Sequence, residues 1–255
     1  MTKQAPSVQL YTLRDFIAED LASTIARVAA AGFTQVEPYH FVALADDYAA
    51  AFKANNLTAP TGHAMLINQP DEEVEAVFAA AKKLGISTVI DPFTVPELWT
   101  TKESVLELAD ALNKVAEKAV AHGLRIAYHN HNWEFENKFD GELAMDVFIG
   151  ALREDIVLEI DTYWCEVGGT NAAEYLKKLG ARVVALHIKD GKKGIDLSSY
   201  EAVQASQCPA GQGDIPVAAI LAAASHALPV VEFDGYTGDL FEGITQSLKF
   251  VNGAR

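Results

Sequence analysis

The sequence predicts one (β/α)8 TIM-barrel domain spanning residues 1–255, and three observations carry that expectation. Short β-rich runs alternate with longer segments of helical periodicity along the whole chain, with no composition break or linker between them. At 255 residues the chain is close to the usual size of a closed eight-stranded α/β barrel. Several of the short runs are almost wholly apolar, as parallel strands covered on both faces must be.

Taken in order, the strand expectations are Ser7 to Leu10, Gln35 to Glu37, Ala59 to His63, Thr88 to Ile90, Arg125 to His129, Ile156 to Asp161, Val183 to Ile188 and Pro229 to Glu232. Between them lie helical patterns such as Leu21 to Ala31, stopped by Gly32, and Asp71 to Leu84, stopped by Gly85. Glycine suits the left-handed position that ends a helix. The Ala-Gly-Phe and Leu-Gly-Ile sequences then lead straight into the next strand. Eight repeated βαβ units favour closure over an open sheet. The absence of a Gly-x-Gly-x-x-Gly after the first strand, and of a Walker-type loop, argues the same way.

Composition narrows the function. Half the residues are hydrophobic and 22% are charged, as in an ordinary globular protein that folds on its own. A net charge of -15 repels nucleic-acid phosphate, which excludes polynucleotide partners but not small phosphate esters. No signal-like or membrane-length apolar stretch is present, so a cytoplasmic protein without a membrane partner is expected. The sequence is compatible with a homo-oligomer. Cys165 and Cys208 form no Cys-x-x-Cys pair, so a metal would be held by His, Asp and Glu.

In a barrel the site forms where strands end at their C-terminal edge. Five of the seven histidines fall there, with Gln9, Tyr11, Glu37, Asp91, Trp133 and Trp164. Asp161, His187 and Glu232 end three successive strands and would project toward one point. Two carboxylates and an imidazole suit one divalent ion: Mn²⁺, Mg²⁺, Co²⁺ or Zn²⁺. His129 and His131 share a parity on the fifth strand, so either could face the mouth as ligand or substrate contact. Tyr11, Tyr163, Trp133 and Trp164 could wall a sugar's C–H faces. Lys189, Lys192 and Lys193 could steady an anionic oxygen. Gln9, Glu37 and His63 complete the candidate substrate contacts.

At these residues the sequence resembles the xylose isomerase-like TIM-barrel superfamily, the sugar phosphate isomerase/epimerase group. The resemblance runs nearly end to end and rests on Tyr128-His129-Asn130-His131-Asn132-Trp133-Glu134-Phe135, Glu159-Ile160-Asp161-Thr162-Tyr163-Trp164, Leu186-His187-Ile188-Lys189-Asp190 and Gly211-Gln212-Gly213-Asp214-Ile215. It implies a metal held by Glu, Asp, His and Glu from strands five to eight, of which Asp161, His187 and Glu232 match the last three. His129 stands where the relatives carry the strand-five Glu, and Trp164 where epimerases carry a substrate-contacting His.

The resemblance implies an isomerase or epimerase acting on a sugar or sugar phosphate through a metal-stabilised enediolate. Glu232 or His129 would exchange the proton, and Lys189 or Lys193 would steady the oxygen. Lyase or dehydratase chemistry on a keto-sugar, keto-inositol or 3-keto-glycoside needs the same enolate and stands as the alternative. An endonuclease IV-like nuclease is disfavoured by the charge. A carbohydrate-binding barrel without catalysis would have no reason to keep a stoichiometric metal.

Overall fold

Seven parallel strands form the main sheet of the computed structural model, which describes residues 4–197 and 199–255. They are β1 (Ser7–Val8), β2 (Thr61–His63), β3 (Thr88–Asp91), β4 (Arg125–His129), β5 (Val157–Asp161), β6 (Val183–Ile188) and β7 (Leu228–Val231). Their order around the sheet is β1, β7, β6, β5, β4, β3, β2, so the first and last strands are neighbours.

The eighth position is taken by the segment 35–39, which joins β1 to β2 by single bridges: Gln9 with Glu37, Gln35 with Thr58, and Tyr39 with His63. Its backbone bonds, Leu10 N–H to Glu37 O and His63 N–H to Pro38 O, close the ring. The expected strand Gln35 to Glu37 is therefore present as a bridged segment and not as a regular ladder. Pro38 and Pro60 have no N–H to give a ladder, which also delays β2 from the expected Ala59 to Thr61.

The helix expected from Leu21 begins earlier, at Arg14, and runs to Ala30 with a kink at Asp20, whose φ is -156°. The Asp20 carboxylate accepts the Ser23 N–H at 3.0 Å, so it caps the second half from within. The helix Asp71–Leu84 has the expected bounds, and Gly85 ends it in the left-handed region at φ 73°. Among the described residues, no helix is long and apolar enough to cross a membrane.

The main core lies between the sheet and the surrounding helices, and includes Trp99, Tyr128 and Phe148 packed ring to ring at 4.7–5.8 Å. Two small clusters lie apart from it: Ile90, Ala127 and Val157, and Ala185, Leu228 and Val230. Strand alternation puts these residues inside the barrel, on the same face as His129, Glu159, Asp161 and His187. Small apolar side chains thus fill the lower lumen, and polar ones fill its C-terminal end. Between β5 and β6 the register slips, with Leu158 opposite Val183 but Glu159 opposite Ala185. Such a bulge re-aims the side chains beyond it.

Two buried aspartates fix the loops over this end. Asp91 accepts the N–H groups of Leu66, Ile67 and Phe93. Asp190 accepts those of Gly191, Gly211, Gly213 and Ile215 at 2.8–3.1 Å, which explains the Gly-Gln-Gly-Asp sequence: a Cβ at Gly213 would run into the Asp190 carboxylate.

Candidate active site

Asp161 ends β5, His187 is the penultimate residue of β6, and Glu232 follows β7 directly. Because these strands are neighbours, the three side chains converge, with one ligand atom from each lying within 4.8 Å of the others. His187 Nδ1 is 2.6 Å from Glu232 Oε2 and 3.9 Å from Asp161 Oδ2. None of these three atoms has an aligned hydrogen bond, although all are buried. The two carboxylate oxygens share the Lys189 ammonium at 2.8–2.9 Å, and together with His187 Nδ1 they are a donor set of the kind that could hold a divalent cation.

The other edge of His187 is satisfied. Its Nε2 lies 2.8 Å from Glu37 Oε1 and 3.0 Å from Glu159 Oε2. With carboxylates at both ring nitrogens the metal-free imidazole is held charged, and a cation taken between Asp161 and Glu232 would replace the Nδ1 proton while Nε2 keeps its own. Glu159 serves two more rings: His63 Nε2 at 2.6 Å and His129 Nδ1 at 3.3 Å. Gln9 Nε2 donates to Glu37 Oε1 at 2.8 Å and closes this lower layer. His63, His129, Glu159 and His187 form a second buried group of potential ligand atoms within 4.8 Å of one another.

Lys189 reaches the convergence point from the end of β6. Its Nζ lies 2.9 Å from Asp161 Oδ2, 2.8 Å from Glu232 Oε2 and 2.9 Å from each oxygen of Asp234. Burial alone would discharge this ammonium, but Asp161, Asp234 and Glu232 outweigh it and hold its pKa well above the ordinary lysine value. Likewise burial opposes charge on His187, yet Glu159 and Glu232 raise its pKa. His63 is pushed up to about 9 against burial by Glu37 and Glu159. The carboxylates of the cluster thus favour the charged forms of Lys189, His187 and His63. His129 goes the other way: burial, then His187 and His63, lower its pKa well below the usual imidazole value, so it is neutral.

Above the convergence point opens a cavity of about 530 Å³, lined by Tyr11, His63, Phe93, Trp133, Trp164 and Lys189 among others. His129, His131, Glu232 and Asp234 also reach it. His129 and His131, alike on the sequence, part here. His129 Nε2 comes within 4.0 Å of Asp161 Oδ2, whereas the His131 ring stacks on Trp133 with an interplanar angle of 2° and centroids 4.5 Å apart.

Gln9 and Glu37, expected to contact substrate, lie below the cavity in the buried layer. Lys193, expected as a substrate contact and a possible oxyanion partner, does not line the cavity. Its exposed ammonium pairs with Glu166, and Lys192 pairs with Asp214, because both lysines sit on a loop that turns outward after Asp190. Tyr163 is turned away as well, with its hydroxyl 3.2 Å from Ser206 Oγ. Glu159 and Asp234 carried no assigned role on the sequence. The signal for Glu159 was its parity with Asp161 inside an otherwise apolar strand.

The model of the xylose isomerase-like TIM barrel family matches residues 25–228. Among solved structures, a sugar phosphate isomerase/epimerase from Parabacteroides distasonis is similar at TM-score 0.77 and 19% identity, covering 98% of this chain and 94% of that one. The probable 3-DHS dehydratase AsbF from Bacillus anthracis is similar at TM-score 0.77 and 10% identity, over 98% of this chain and 99% of that one. IolI protein with a bound zinc atom is similar at TM-score 0.74 and 19% identity, over 98% of each chain. At these identities the likeness is one of fold. No curated protein matches the chain in sequence. With the family match spanning most of its length and the barrel closed as that family requires, the chain belongs to the xylose isomerase-like TIM barrel family.

Proposed function

We propose that this protein is a divalent-metal-dependent isomerase or epimerase that moves a proton on the carbon beside the carbonyl of a sugar. The observation that carries the reading is the convergence of Asp161 Oδ2, His187 Nδ1 and Glu232 Oε2, all buried beneath the cavity, with one ammonium, that of Lys189, set against Asp161, Glu232 and Asp234 together. Two carboxylates and an imidazole fit Mn²⁺, Mg²⁺, Co²⁺ or Zn²⁺, and the excess of negative charge fits a divalent cation. His129, with Nε2 4.0 Å from Asp161 Oδ2, offers a further imidazole at the edge of this set. A metal bound there supplies Lewis-acid charge that makes a neighbouring C–H bond easier to ionise.

The chain's own groups do the rest. Burial favours a protonated Glu232, but Lys189 and His187 outweigh it and keep the carboxylate charged, so it accepts a proton only as substrate draws those partners away from it. His129, neutral and close to Asp161, offers a second site for the proton. Lys189 places a fixed positive charge beside the oxygen that becomes negative when the C–H bond breaks. Trp133 and Trp164 line the cavity around these groups with apolar surface. The test is proton exchange: Mn²⁺-loaded protein incubated with ketoses in D2O is expected to introduce deuterium beside the carbonyl, read by NMR. Absence of exchange with every ketose at saturating metal would remove the reading.

Glu159 acts in this scheme by orienting His187, His129 and His63. Outer carboxylates of this kind typically contribute about 10–100-fold in metal affinity. Glu159→Gln is therefore expected to weaken Mn²⁺ binding by about that factor, measured by calorimetry, with the barrel's circular dichroism unchanged.

A further inference from the structure

Given the reading of the cavity as a sugar site, the chemistry of its walls specifies what else the substrate carries. A phosphate ester requires free cationic side chains or unspent backbone N–H groups. Among the described residues lining the cavity, Lys189 is the one lysine or arginine, and its ammonium is shared among Asp161, Glu232 and Asp234. Arg14, nearby, lies over the Tyr11 ring at 4.4 Å and donates to the carbonyl oxygens of Tyr11 and Asp234.

TIM barrels commonly cradle phosphate with the loops after the last two strands. Here that cradle is filled from within: the N–H groups of Gly211, Gly213 and Ile215 are directed at the Asp190 carboxylate. The last helix, Leu240–Ala254, is capped at its N-terminus by the Asp239 carboxylate. The cavity wall itself presents Glu232 and Asp234, so a phosphate dianion would meet like charge.

The upper wall has the opposite character. His131 and Trp133 form a parallel stack, and Phe93 meets both edge-on at 5.4 and 5.6 Å. Phe93 is 38% exposed at the rim of the cavity, next to this stack. The volume of about 530 Å³ lies in the range of pockets that hold drug-sized ligands, larger than one sugar ring needs.

We infer that the substrate is an uncharged sugar joined to a flat apolar group, in the manner of an aryl glycoside, with the sugar at the carboxylate floor and the flat group against Phe93, Trp133 and His131. This inference rests on the sugar reading but not on the proton-transfer step, so binding and exchange test them separately.

Calorimetric titration of the metal-loaded full chain with phenyl glucoside, methyl glucoside (both anomers of each) and glucose 6-phosphate decides it. Aromatic contacts add about 0.5–1.5 kcal/mol per pair, so with two or more rings engaged, phenyl glucoside should bind at least about fivefold more tightly than methyl glucoside. Glucose 6-phosphate should bind no better than methyl glucoside. Phe93→Ser, at a rim position whose loss leaves the core intact, should reduce the phenyl advantage and leave methyl glucoside binding unchanged. Tighter binding of the phosphate ester, no phenyl advantage in the parent chain, or no binding of any glucoside would overturn the inference. Deuterium exchange without a phenyl preference would sink this inference alone. Phenyl preference without exchange would sink the proton-transfer reading alone.

Discussion

Glu232→Gln is expected to lower turnover by about 10²–10⁴-fold, the usual contribution of a general acid–base group, while substrate binding falls far less. The amide has the same shape but cannot accept a proton. It also changes the local balance, because Glu232 Oε2 lies 2.8 Å from Lys189 Nζ and 2.6 Å from His187 Nδ1. Losing that negative charge weakens metal binding too, so activity must be followed across a Mn²⁺ titration. A proton-transfer role predicts that kcat stays low at saturating metal. Full recovery at high metal would make Glu232 a ligand only, and His129→Ala would then be the next variant to measure.

Asp161→Asn is expected to reduce Mn²⁺ affinity by more than the about 100-fold that marks the upper end of outer-carboxylate effects. The substitution separates charge from architecture. Asp161 Oδ1 caps the helix Thr162–Val167 by accepting the Trp164 N–H at 2.9 Å, while Oδ2 faces the proposed cation site and pairs with Lys189, which Glu232 and Asp234 still hold in the variant. Asparagine caps helices about as well as aspartate. The melting temperature of the metal-free protein should therefore change little while metal affinity collapses. Unchanged affinity, read by calorimetry or by the electron paramagnetic resonance of free Mn²⁺, would remove Asp161 from the ligand set.

Much of this arrangement could be read from the sequence because parallel strands buried on both faces are apolar until they end, and the residue that breaks the run marks the mouth. That logic located Asp161, His187 and Glu232 without coordinates. It located the strands Arg125–His129 and Val183–Ile188 to the residue. It failed where side chains leave their strand's simple rule. Glu159 sits below the mouth, and its function depends on three histidines contributed by β2, β4 and β6, a relation visible only once the barrel has closed. Lys193 looked like a site residue because it follows His187 closely, but the chain turns outward after Asp190. The difference between His129 and His131 was equally hidden, since parity cannot say which ring meets carboxylates and which meets Trp133.

Ser7 pairs with Val230 and Val8 with Val231, so the ring is sealed by contacts between the first strand and the last. Contacts so distant along the chain carry the largest loop-closure entropy of any in the sheet. The seam they make also runs beside Gln9 and Glu37 on one side and Glu232 on the other. Negative charges that would repel one another in an open sheet are brought together only as the final strand docks. Closing the barrel and gathering these carboxylates around the candidate site are thus one and the same set of contacts.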